Sequence, residues 1–361
     1  MAYNEVPLLH GVLALSGTHL SFKLSSADVL ARSHYAICLR AAKYEITRVS
    51  EGCLDRAFPL CALLIILCHL EAIGGDMRGA LLTHLRAFTA ILPLAWRVGR
   101  VINERLWLVL LEQFVYFSIV SDNVGLPSTA ITGPDLSTRS LASSIGRQLP
   151  QSNIQGIMFG RSGHIFQLFE MIPLIQTFAQ KPAETSPRHL DSEIISDFTM
   201  LEDRVLEWKV HMDSDTSDSL LSTHAELPVE VNAGLLFQCA ILIFLRAAMY
   251  GPGMPSESLL AQIDSLVAEF ISFSEKLDLR SKSRTLMMWP TLIVGSCARK
   301  EEHRAHLRFV LYQSPAEMYA TTMTGKLLNL LWSDEGYGRS IFGPYGITTV
   351  ARKHNICLSL G

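Results

Sequence analysis

Two segments of this chain are so apolar that they restrict every architecture open to it. Residues 57–69 run Ala-Phe-Pro-Leu-Cys-Ala-Leu-Leu-Ile-Ile-Leu-Cys-His, and residues 233–248 are nearly as free of polar side chains. A bilayer-spanning helix needs about 20 consecutive apolar residues. The first segment is shorter than that and holds Pro59, while the second holds Gln238 and Arg246. Neither reads as a membrane span. Helices apolar on more than one side belong instead in the middle of a large bundle or around an apolar cavity. The expectation for the whole chain is therefore an all-α fold, a large multi-helix bundle with a central apolar cavity.

The remaining pattern agrees with helix throughout. Apolar residues recur at helical spacing over Val6–His19, Ala27–Thr47, Leu54–Ile73, Met77–Leu92 and Glu104–Asp122. Further along they recur over Gly163–Ala179, Leu190–Met212, Pro228–Tyr250, Ser256–Leu277, Leu286–Lys300, His303–Tyr312 and Ala316–Asp334, and no run alternates like a strand. Gly74-Gly75 marks a helix end, Pro93 a break, and Ser162 a cap. Two stretches lack any period: 127–152, rich in Ser, Thr, Gly and Pro, and the polar 213–222. Both read as irregular insertions in one domain spanning 1–361, because no fixed-period repeat divides the chain.

Charge and cysteine usage narrow the partners. With 31 basic against 34 acidic residues, there is no basic surplus to draw in a polyanion, and direct DNA binding is not expected. The seven cysteines are odd in number, scattered and mostly set among apolar residues, which predicts reduced, buried thiols in a reducing compartment. No charged segment followed by an apolar one stands at residues 1–20, so secretion is not expected. A cytoplasmic location follows, or a nuclear one for a regulator, with room for a homodimer.

Several short motifs occur in order: Pro7-Leu8-Leu9-His10-Gly11 to Thr18-His19-Leu20, His34-Tyr35, Glu71, Gly75-Asp76, and His84-Leu85-Arg86-Ala87. They continue with Ala240 to Arg246, Trp289-Pro290-Thr291-Leu292-Ile293-Val294-Gly295-Ser296-Cys297-Ala298, Arg304 and Leu331-Trp332. This series resembles the fungal-specific transcription factor domain found downstream of zinc binuclear clusters. The Trp-Pro, Gly, Ala and Arg arrangement is its most specific part. The resemblance implies an α-helical bundle that binds small effectors or partner proteins, and it implies no reaction.

The zinc cluster itself is missing from the sequence. Two zinc ions need six thiolates in CxxC-containing groups beside a basic stretch that meets phosphate, and the chain has no CxxC. Met1 falls almost where such an effector domain begins, so the expectation is a chain that works without a DNA reader. By size and architecture, not by a motif, it is also similar to the α-humulene synthase family of unconventional sesquiterpene cyclases.

That second resemblance implies a Mg2+-dependent, class I-like cyclase acting on farnesyl diphosphate. Such chemistry needs carboxylates for the metal, basic groups for diphosphate and aromatic faces for cations. Glu71, Glu112, Asp122 and Glu170 are the candidate metal ligands, and Arg246, Arg299 and Arg304, with Arg284, the candidate diphosphate binders. Trp107, Phe114, Tyr116, Phe117, Trp289 and Trp332 are the candidate pocket aromatics. The bland readings stand beside these: buried carboxylates usually pair with arginines, and aromatics at helical spacing usually form core. Glu202, Asp203 and Glu207 read as a solvated face anchored by Trp208. The alternative to the enzyme is a non-enzymatic effector domain binding an apolar ligand or a protein partner.

Overall fold

The computed structural model describes residues 5–75, 79–102, 104–121, 136–149, 165–184, 192–208, 229–277, 286–312 and 318–356. Helical periodicity wins: fourteen α-helices, a 3-10 turn at Leu54–Arg56 and one isolated bridge, Tyr337 to Ile341, are found among the described residues. In chain order the helices are α1 (Val6–Ser21), α2 (Ser26–Ser50), α3 (Ala57–Gly74), α4 (Ala80–Ile102), α5 (Glu104–Val120), α6 (Leu136–Gly146) and α7 (Ile165–Glu184). They continue as α8 (Ser192–Leu206), α9 (Val229–Tyr250), α10 (Glu257–Glu275), α11 (Met288–Cys297), α12 (Glu301–Tyr312), α13 (Tyr319–Trp332) and α14 (Gly343–Lys353).

The two apolar segments lie inside α3 and α9, at the centre. By length and composition both helices could cross a bilayer, yet 67% and 72% of their apolar windows are buried within the protein. Around α3 pack α1, α2, α4 and α5; around α9 pack α7, α8, α10 and α11. One continuous hydrophobic cluster runs through both groups. From Leu110 to Val120 every residue of α5 is buried, Glu112 and Gln113 included, because that helix has neighbours on all sides.

Polar ties fasten the outer helices to this centre. Arg56, in the 3-10 turn before α3, donates to Glu5 at 2.9 and 3.1 Å and to Glu45 of α2 at 3.1 and 3.2 Å. At the other end of α3, Gly75 adopts φ +82, and an added Cβ would lie only 2.0 Å from the ring of Tyr319 on α13. The left-handed backbone and the close approach both demand glycine there.

Three expectations need correction. Pro93 does not end its helix; α4 continues through it to Ile102. Proline removes one intrahelical hydrogen bond and crowds the carbonyl four residues back. Here Pro93 lies on the exposed face while Leu92 and Ala95 are buried against the core, so packing on both sides holds the helix together. The stretch read as irregular from 127 to 152 contains α6, whose Ala142 and Ile145 are buried. The third is α14, which sequence reading missed although Pro344 stands in its first turn and Arg352 and Lys353 in its last. Ser162 and the polar stretch 213–222 fall outside the described residues.

Candidate functional site

The candidate aromatics are packed ring against ring. Trp107 meets Phe58 at 5.6 Å and Trp96 at 5.8 Å, and Phe114 stacks on Phe88 at 4.7 Å. A second series begins where His69 of α3 meets the edge of Phe117, then runs through Tyr116, Phe169, Phe237 and Trp289 to Phe244. It crosses α3, α5, α7, α9 and α11, and its rings fill the space between them. Burial pushes the Tyr116 phenol well above its ordinary pKa and the His69 imidazole below its own, against a hydrogen bond that His69 Nε2 donates to Gln113 Oε1 and that favours the charged ring.

The candidate carboxylates have separate surroundings. Glu71 accepts a hydrogen bond from Tyr35 of α2 and lies 3.6 Å from His84 Nε2 of α4. Glu112 is buried within α5. Glu170, on α7, accepts from Arg147 Nε at 2.6 Å and Ser143 Oγ at 3.1 Å, with Arg204 at 4.0 Å. Asp122 and Arg284 lie outside the described residues. No three His, Cys, Asp or Glu side chains come together as a metal site among the described residues.

The arginines are likewise occupied singly. Arg246 of α9 forks onto Glu202 of α8 at 3.1 and 3.3 Å. In the same stretch Asp203 and Glu207 are exposed, and Trp208 is buried against the Gly234 backbone. Arg299 pairs with Asp264 of α10 at 2.5 and 3.3 Å.

Arg304 belongs to a different device, which absorbs the most specific sequence motif. The last carbonyls of a helix have no partner within it and must find one elsewhere. At the end of α11, Trp332 Nε1 donates to the Gly295 carbonyl at 2.9 Å. The Tyr337 hydroxyl contacts the Ser296 and Ala298 carbonyls at 3.2 and 3.0 Å, and Arg304 Nε donates to Ala298 at 2.9 Å. The Arg304 guanidinium also lies 5.6 Å from the Trp332 ring centre and 5.1 Å from that of Tyr337, and Arg308 adds a third such contact, 4.8 Å over Trp332. A Cβ on Gly295 would approach Leu328 Cδ1 to 2.7 Å, so glycine is what lets α13 pass this close. These residues therefore cap one helix end and lock α12 and α13 onto it. Tyr337 and Arg308 escaped the sequence reading.

Among the described residues the packing is interrupted in at least two places. One, of about 20 Å³, lies among α9, α10, α11, α12 and α13, and Phe270, Met288 and Leu311 are among its apolar walls. That volume holds about one water. The other is a cleft of about 260 Å³ among α5, α6 and α7. Ile119, Phe166, Pro173 and Leu174 give it apolar walls; Ser118, Arg139, Ser143, Glu170 and Thr177 contribute polar groups. The Ser118 side-chain oxygen is buried and has no hydrogen-bond partner. Burial also works against the charge of Arg139, lowering its pKa. Of the described sequence candidates only Glu170 lines this cleft. Ser118 sits in an aromatic helix and Arg139 in a stretch without visible period, so no local signal marked either one.

Comparison with known proteins gives one assignment. The profile of the fungal specific transcription factor domain matches residues 1–338, nearly the whole chain, and the chain belongs to that family. No curated protein and no solved structure matches it significantly.

Proposed function

From membership in this family we propose that the chain is a regulatory effector domain of transcription, acting without catalysis and taking its input from a bound apolar small molecule or a protein partner. Its place of action is then the nucleus. The observation that carries this reading is the use made of the motif residues. Glu71, Gly75, His84, Gly295, Arg304 and Trp332 all tie helices to one another. They serve an architecture, as expected of a scaffold whose members differ in what they recognise.

The sesquiterpene cyclase reading draws no support from the site geometry. Its aromatics are packed against one another, Arg246 and Arg299 are paired with separate carboxylates, and its described carboxylates share no metal site. Incubation with farnesyl diphosphate and Mg2+, followed by gas chromatography, is expected to give no hydrocarbon product.

The regulatory reading is tested by tethering the full chain to a heterologous DNA-binding domain and measuring a reporter gene in a fungal host. A severalfold change in output over the DNA-binding domain alone is expected. Unchanged output from a folded, nuclear fusion sinks the reading, and hydrocarbon formation would restore the enzyme in its place.

A further inference from the structure

The cleft among α5, α6 and α7 has the attributes of a ligand site that the family signature does not explain. Its volume, about 260 Å³, is far above the ~10–15 Å³ that one water requires. It approaches the lower end of small-molecule sites, about 300 Å³. The walls are mixed in the way such sites usually are, with apolar side chains for area and a few polar groups for orientation. Glu170 is already engaged by Arg147 and Ser143, and the Thr177 hydroxyl donates to the Pro173 carbonyl at 3.0 Å. Ser118 differs from both. It is 2% exposed, and its hydroxyl has no partner within the protein. A buried polar group left in this state costs about 1–3 kcal/mol, and serine reaches other staggered rotamers at small cost.

We propose that this cleft binds a compact, largely apolar small molecule carrying one oxygen acceptor, with Ser118 donating the hydrogen bond and Ile119, Phe166, Pro173 and Leu174 enclosing the apolar body. An oxygen lodged beside Ser118 supplies the partner that the fold withholds. The hydrocarbon body replaces water along the apolar walls, which favours association by burial alone. Binding here rests on the cleft itself; that it serves as the input signal rests on the regulatory reading above.

Camphor, a compact ketone, and camphene, a related bicyclic hydrocarbon without oxygen, are suitable probes. Saturation-transfer NMR titrations of the full chain are expected to give tighter binding of camphor than of camphene. Ser118→Ala should weaken camphor about five- to tenfold and leave camphene unchanged, while Ser118→Thr, which keeps a hydroxyl, restores part of the loss. Leu174→Trp, at a residue 37% exposed, fills the cleft from its open side and should weaken both probes.

No camphor binding by the wild type overturns the proposal, as does camphor binding that neither Ser118→Ala nor Leu174→Trp alters. The tethered reporter separates the two readings. A working reporter without camphor binding sinks the cleft alone, whereas camphor binding with a silent reporter sinks the regulatory role and leaves the cleft standing.

Discussion

The end of α11 and the cleft beside α5 are built on opposite terms. At α11 the terminal carbonyls of Gly295, Ser296 and Ala298 each receive a donor, and the donors are held in turn by stacked guanidinium and aromatic groups. At the cleft a buried hydroxyl is left without a partner beside a void. The first region contains motif residues that carried the resemblance in the sequence; the second contains none of those motifs. A family signature of this kind marks what the fold needs. What an individual member recognises is then to be sought where polar groups remain unsatisfied.

The contrast can be broken or sharpened by substitution. Trp332→Ala removes a nearly buried indole, its hydrogen bond to Gly295 and the surface on which two arginines rest; about 3–5 kcal/mol of stability should be lost in urea unfolding. A loss below about 1 kcal/mol would deny the cap its structural role. Gly295→Val forces side-chain carbon against Leu328 and should cost about 1–3 kcal/mol, read as a lowered melting temperature. Tyr337→Phe deletes only the hydroxyl shared by two carbonyls, for about 1–2 kcal/mol.

A smaller effect is expected with pH, in the aromatic series that joins the two regions. Burial lowers the His69 pKa below its ordinary 6.5. The unfolded chain then binds more protons at this site than the folded one, so the contribution is complete above about pH 6.5 and is lost as pH falls below it. Unfolding midpoints of the wild type measured from pH 8 to 5 should fall more steeply than those of His69→Gln. Parallel curves would mean that His69 titrates alike in both states.

Much of the fold was legible because the central helices are apolar on every side and the outer ones keep a helical period. Gly74-Gly75 marked a real helix end for the same reason, since glycine supplies the left-handed turn. Pro93 misled because propensity is local, while the burial of Leu92 and Ala95 that overrides it is not. The Ser-rich helix α6 hid behind its composition; its buried Ala142 and Ile145 become significant only once α5 and α7 stand beside them. The site was far less readable. Carboxylates and aromatics were picked by chemical type, but whether Glu71 meets a metal or Tyr35 depends on which helix passes it. Ser118 could not be singled out at all, because lacking a partner is a property of packing.

The most direct test of the division between scaffold and site is the urea-unfolding midpoint of Ser118→Ala beside that of Tyr337→Phe. Each replacement removes one hydroxyl from a largely buried position, yet one hydroxyl is bonded and the other is not. We predict a midpoint for Ser118→Ala equal to or above the wild type, by up to about 1 kcal/mol in stability, and one below it for Tyr337→Phe. Equal destabilisation by the two would contradict the account, since it would place Ser118 among the ties that hold the fold.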